Sequence, residues 1–196
     1  MHPVEVWSVA LDEAPDGLAA LLSAPERARA QRLAAPDRWV AARAALRLVL
    51  AERLGTAPAR VAFEEGPHGK PAVAGLRFNL SHSGATALIA VADEAEVGVD
   101  VERTNRRSHA IERTLTAGER AGLDGGDRHL QLLRIWCRKE ALAKALGRGL
   151  GWAPETFDTS RPEGHVLHDL ELPAGYVGAL AVAAERIEVI RRRFEY

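Results

Sequence analysis

Two alanine-rich runs of helical periodicity, each ended by glycine and each followed by short β-type segments, constrain this chain more than any other feature. The first runs from Asp37 to Leu54 and stops at Gly55; the second runs from Leu130 to Leu146 and stops at Gly147 and Gly149. Arg38-Trp39 opens one and Ile135-Trp136 sits in the other. Around the first lie an opening strand (Val4 to Ala10), a further helix (Leu18 to Leu33), a short strand (Val61 to Glu65) and a loop punctuated by Gly66, Pro67, Gly69 and Pro71. Strands at Leu76 to Leu80, Ala85 to Ala92 and Val97 to Glu102 follow, the first two joined by the turn Ser81-His82-Ser83-Gly84. Around the second lie a helix from Ala110 to Leu123 and β-type sequence at Phe157, Val166 to Leu172, Tyr176 to Ala184 and Ile187 to Ile190. The order is helix then strand meander, twice over, which predicts an α+β chain of two similar halves meeting near residue 104.

Composition narrows the function. With 27% charged residues but a net charge of −1, the chain has no overall positive field for nucleic acid or an anionic membrane, so any anion site must be local. Cys137 is the single cysteine, which excludes an internal disulfide framework and fits a reducing, cytoplasmic compartment. No run reaches the roughly 20 apolar residues of a membrane span, and Met1 to Ala10, carrying Glu5, does not read as an export signal. His165 and His168 lack neighbouring nitrogen or sulfur ligands and read as loop histidines.

Three clusters carry chemistry. Asp100 and Glu102, two apart at a strand end, place both carboxylates on one face with Val101 on the other. Such a pair suits a hard cation such as Mg²⁺, which takes carboxylate oxygens and completes its shell with water or phosphate. It equally suits ion pairing with Arg103, Arg106 or Arg107. Glu140 and Lys144, at i and i+4, share a helix face, either as a surface salt bridge or as an acid beside a phosphate-binding ammonium. Asn79-Leu80-Ser81-His82-Ser83-Gly84 brings a histidine and small residues to a strand end, where backbone N–H groups and the imidazole can meet phosphate. Ser81 and His82 are adjacent and point to opposite sides of a strand, and no nucleophile elbow is present, which argues against a serine hydrolase.

Gly69-Lys70-Pro71, Phe78-Asn79-Leu80-Ser81-His82-Ser83, Gly98-Val99-Asp100-Val101-Glu102 and Trp136 to Lys144, in that order, resemble the 4'-phosphopantetheinyl transferase superfamily, specifically the long monomeric, surfactin-synthetase-activating (Sfp) type. The resemblance implies a pseudo-dimer of two α+β halves, each a helix packed on a small antiparallel sheet, with the active site between them. Residues 1–103 would form the coenzyme A side and 104–196 would bring the metal and lysine helix. It implies Mg²⁺ held by Asp100, Glu102 and Glu140, and catalysis by Glu140, Lys144 and Asp100. It places coenzyme A, the substrate, against Arg38, Lys70, Pro71, Ser81, His82 and Lys144, with Arg27, Arg29, Arg43 and Arg47 as further basic positions. The acceptor implied is a serine of an acyl or peptidyl carrier protein in polyketide, nonribosomal peptide, siderophore or fatty-acid synthesis, with no nucleic acid or membrane partner. Cys137 stands where the family has a small hydroxyl residue and is expected to face away from Glu140. The competing readings are a binding protein without turnover and a metal-dependent pyrophosphate hydrolase using the same acids.

Overall fold

A computed structural model describes residues 1–66, 69–148 and 153–196. In chain order the strands are β1 (His2–Ala10), the two-residue β2 (Glu64–Glu65) and β3 (Pro71–Ala72), β4 (Arg77–Ser83), β5 (Thr86–Ala92), β6 (Val97–Arg103), β7 (Val166–Leu170), β8 (Tyr176–Val182) and β9 (Ile187–Arg193). The helices are α1 (Ala24–Ala30), α2 (Asp37–Leu54), α3 (Ala117–Ala121) and α4 (Arg128–Ala145). One sheet has the order β4-β5-β1-β9 and a second β6-β8-β7, with β2 and β3 as a separate ribbon.

The layers follow from strand alternation. Ala87, Ile89 and Val91 of β5 pack with Ala41, Ala45, Leu46 and Val49 of α2, whereas Leu88, Ala90 and Ala92 turn to the opposite face. There they meet Val97, Val99 and Val101 of β6 and Leu180 and Val182 of β8. The other face of β8, through Val177, Ala179 and Ala181, packs on Leu133, Cys137, Ala141 and Ala145 of α4. The protein is therefore layered helix, sheet, sheet, helix. Both central strands are covered on two faces, which is why their sequences are almost continuously apolar.

Two buried ion pairs anchor the long helices. Arg47 of α2 donates from Nε to Glu26 (2.6 Å) and from Nη1 to the carbonyls of Pro58 (2.6 Å) and Val61 (3.1 Å). Lys139 of α4 pairs with Glu119 (2.9 Å) and donates to the carbonyls of Pro154 (2.8 Å) and Phe157 (2.5 Å). In each case the acid closes a capping box on a short helix, with Ser23 at the start of α1 and Thr116 at the start of α3. Buried charges persist only when paired and hydrogen-bonded in this way.

Several sequence expectations change. The run from Leu18 to Leu33 is a 3-10 turn over Leu18–Leu21 followed by α1, broken where Ser23 caps and Pro25 enters the first turn. Ala110 to Leu123 likewise divides, into a 3-10 turn at Ile111–Thr114 and α3, because Thr116 starts a new helix. Ser81 to Ser83 belong to β4, and the turn is left to Gly84, at φ 58°, and Ala85. Val61 and Phe157 lie outside strands, each just after a 3-10 turn opened by a proline. Pro67 and Gly149, read as loop and helix-exit residues, lie outside the described residues. In the sheets, β6 joins β7 and β8, and β9 runs parallel to β1. Among the described residues no helix is long and apolar enough to cross a membrane.

Candidate active site

The edge of β4 meets β6 through side chains rather than a backbone ladder. The odd-numbered residues of β4 face that join: Asn79 Oδ1 accepts from the Val99 N–H (2.9 Å), Ser81 Oγ donates to Asp100 Oδ1 (2.9 Å), and Ser83 Oγ donates to Glu102 Oε2 (3.2 Å). Along β6, Val97, Val99 and Val101 enter the core between the sheets, leaving Gly98, Asp100 and Glu102 on the other face. Gly98 fixes how near α4 comes: a Cβ there would lie 2.0 Å from the Ala141 carbonyl oxygen and 2.5 Å from the Ala145 nitrogen. Only glycine tolerates that approach.

The close approach delivers Lys144. Its Nζ donates to Asp100 Oδ1 (2.7 Å), Ser81 Oγ (3.1 Å) and the Val99 carbonyl (3.1 Å), so one ammonium ties α4 to both sheets. Asp100 is buried at 5% exposure, and its second oxygen, Oδ2, is also buried and has no hydrogen-bond partner. A carboxylate oxygen withdrawn from water without a donor is costly, and Glu102 adds a second carboxylate on the same face. This donor set fits a hard divalent cation. Glu140 is half-buried one turn before Lys144 on α4, and among the described residues no group of three or more acids, histidines or cysteines is gathered as a metal cluster. Glu102 also pairs with Arg106, whose guanidinium lies 4.9 Å from the centre of the Trp136 ring.

Cys137 does not face away from Glu140. Three residues at 3.6 per turn leave the two about 60° apart. Its buried thiol lies 3.6 Å from the Val177 carbonyl, and burial, followed by the charge of Asp100, pushes it far above the ordinary thiol range, which keeps it protonated.

The even-numbered face of β4 opens on the other side. His82 and Leu80 line a pocket of about 370 Å³ with Pro25, Arg29, Trp39, Arg43 and Pro71. His82 is exposed on its wall, yet the protein crowding its ring and, secondarily, the Lys144 charge hold it below the usual imidazole value, favouring the neutral ring with one N–H donor. Arg29 stacks 5.5 Å from the centre of the Trp39 ring. Pro71 also lines a neighbouring pocket of about 350 Å³ with Lys70, Arg77, Glu96 and the end of α4 at Ala145 to Gly147. Lys70 there donates to Glu96 (3.0 Å) and the Val97 carbonyl (3.1 Å).

The expected basic positions thus separate. Arg43 reaches the His82 pocket while pairing with Glu26. Arg47, at 1% exposure, belongs to the helix anchor and cannot meet a ligand. Arg38 points elsewhere: it is exposed, forms a two-pronged bond with Asp12 (2.7 and 2.9 Å), and lines a separate pocket of about 820 Å³ together with Arg27. Sequence reasoning missed Ser83 and Asn79 as supports of the acidic strand and Trp39 as a pocket wall. The period-2 polarity of Asn79, Ser81 and Ser83 was the available signal.

Fold and site together define a two-sheet α+β protein whose acid-bearing strand and lysine-bearing helix meet where the sheets join. The family model for the 4'-phosphopantetheinyl transferase superfamily matches residues 96–171, from the start of that strand onward. The 4'-phosphopantetheinyl transferase HetI of Nostoc sp. is 36% identical over 166 residues, covering 75% of this chain and 70% of its own. The 4'-phosphopantetheinyl transferase AcpT of Salmonella typhimurium is 35% identical over 165 residues, covering 81% and 79%. A Synechocystis sp. protein is 34% identical over 148 residues, and the match spans 68% of this chain but 60% of that protein. The chain belongs to the 4'-phosphopantetheinyl transferase superfamily, a family of enzymes.

Proposed function

We propose that the chain transfers the 4'-phosphopantetheine group of coenzyme A to a serine of an acyl or peptidyl carrier protein, with Mg²⁺, as a cytoplasmic monomer serving polyketide, nonribosomal peptide, siderophore or fatty-acid synthesis. The observation that carries this reading is Lys144, bonded at once to Ser81 and Asp100 across the join of the two sheets. In the reaction the serine oxygen bonds to the β-phosphorus, the diphosphate bridge breaks, and adenosine 3',5'-bisphosphate leaves with the negative charge.

Asp100 and Glu102, with Glu140 from the facing helix, are the residues that would hold Mg²⁺, which when bound would neutralise charge on the diphosphate. Lys144 supplies a fixed positive charge beside that position, and neutral His82 offers an N–H donor toward a phosphate in its pocket. Arg29, Arg43, Lys70 and Pro71 lie on the two adjoining pockets and are suited to the phosphate and adenosine ends of the donor. Glu140 is the candidate base for the serine hydroxyl.

The matched anchors of α2 and α4 support a pseudo-dimer. The sequence repeat and the family resemblance divide its halves into residues 1–103 and 104–196. The pairing supports counting β6 as the opening strand of the second half, since it borders β8 as β1 borders β5.

The test is mass spectrometry of an apo carrier protein incubated with coenzyme A, Mg²⁺ and the enzyme. Wild type should add one phosphopantetheine mass and Asp100→Ala should add none while keeping its circular dichroism. Transfer by Asp100→Ala at near wild-type rate would refute the metal assignment. Release of the bisphosphate without carrier protein would favour hydrolysis instead.

A further inference from the structure

The four oxygens of Asp100 and Glu102 are not equivalent. Asp100 Oδ1 takes Lys144 and Ser81, and Glu102 Oε2 takes Ser83. Asp100 Oδ2 has no partner, whereas Glu102 Oε1 is engaged by the Arg106 guanidinium. A divalent ion shared by the two carboxylates along their common face must use the buried, unpartnered oxygen of Asp100 together with an oxygen of Glu102, and on Glu102 the position opposite Ser83 is taken by a cation that the chain itself supplies. Two cations cannot occupy one carboxylate oxygen without strong repulsion. We propose that Arg106 is a built-in competitor for the cation position at Glu102, so that metal affinity is set by displacement of this side chain as well as by the acids.

The surroundings of Arg106 suit such an exchange. Its guanidinium lies over the Trp136 ring, and cation–π attraction gives it a seat that does not depend on Glu102. The backbone beneath is fastened on both sides by His129, one ring nitrogen meeting the Thr104 carbonyl (2.5 Å) and the other the Ser108 hydroxyl (2.8 Å). Displacement therefore needs rotation of one side chain and no opening of the loop. With Glu102 at 17% and Arg106 at 37% side-chain exposure, the pair is partly screened, so exchange is accessible.

This inference rests on the metal reading of Asp100 and Glu102, and its test does not use transfer. Mn²⁺ binding is titrated by electron paramagnetic resonance on the full chain without coenzyme A or carrier protein, alongside thermal melts that verify folding. Arg106→Gln should bind Mn²⁺ roughly three- to tenfold more tightly than wild type at low salt, with the gap narrowing as salt rises. Arg106→Lys keeps the charge and should stay near wild type, and Asp100→Asn should lose the site. Equal or weaker binding by Arg106→Gln overturns the proposal, as does Arg106→Lys tightening as much as Arg106→Gln, or Mn²⁺ binding that survives Asp100→Asn. Absence of phosphopantetheine transfer in the separate mass assay would defeat the transferase reading and leave the Mn²⁺ comparison standing.

Discussion

The anchors of α2 and α4 solve one problem with different residues. Each long helix sends a buried cation to the acid of a capping box and to two carbonyls around a proline-led 3-10 turn. At α2 the cation is Arg47, and its acid, Glu26, also binds Arg43, whose guanidinium lies 4.2 Å from the Phe63 ring and reaches the His82 pocket. At α4 Glu119 is paired with Lys139 and bonded by Thr159 and the Thr116 N–H, all within the protein. Burial alone would push Glu26 up, but hydrogen bonds from Arg47 and Arg43 outweigh it and hold the carboxyl below its usual value. One anchor is thus shared with the wall of the His82 pocket, and the other is purely internal.

The two anchors should differ most when each loses its cation. Lys139→Met should cost about 3–5 kcal/mol, because Glu119 is left buried without a cation. Arg47→Met should cost less, because Glu26 retains Arg43. Urea unfolding of both variants checks this, and equal losses would erase the distinction. Next come the swaps: Lys139→Arg overfills a fully buried site, for about 1–3 kcal/mol. Arg47→Lys can keep the same three partners from one ammonium, for about 1 kcal/mol.

The third comparison is kinetic. Arg43→Gln should raise KM for coenzyme A on the order of tenfold, the loss expected for one charged hydrogen bond, and shift Tm by only about 2 °C. A Tm drop like that of Arg47→Met with unchanged KM would return Arg43 to the anchor alone. The smallest effect concerns His82. Its lowered value means the neutral ring favours the folded state, a contribution complete above about pH 6.5 and lost as pH falls toward the folded value. By NMR, Lys144→Met should raise the His82 value only part of the way to normal, since burial, the larger cause, remains. A full return to normal would make Lys144 the dominant influence.

Much of this architecture was legible. Asp37 to Leu54 forms one helix because alanine and leucine recur at its period and Gly55, at φ 61°, ends it. The alternation around Val101 correctly placed Asp100 and Glu102 on one face. What sequence could not supply was tertiary. Arg47 shares a helix face with Arg43 at i+4 and so looks equally available to a ligand, yet it is buried against Glu26, and Arg38, five residues before Arg43 and about 140° round the helix, turns to Asp12. Lys139 lies inside the Trp136 to Lys144 motif, but its burial is set by Glu119 and the carbonyls of Pro154 and Phe157, far from it in sequence. The breaks at Ser23 and Thr116 were hidden because capping residues interrupt an otherwise continuous helical composition.

The parallel pairing of β9 with β1 has a consequence for biosynthesis. The Ser8 hydroxyl bonds to the Arg192 carbonyl across 184 positions of sequence. At about 5–20 residues per second, the ribosome needs roughly 10–40 s to deliver the second strand after the first has emerged. During that interval β1 can pair only with β5, and its outer edge stays open to chaperones or to other nascent chains. Arrival of the arginine-rich β9 covers that edge and seals β1 into the first sheet.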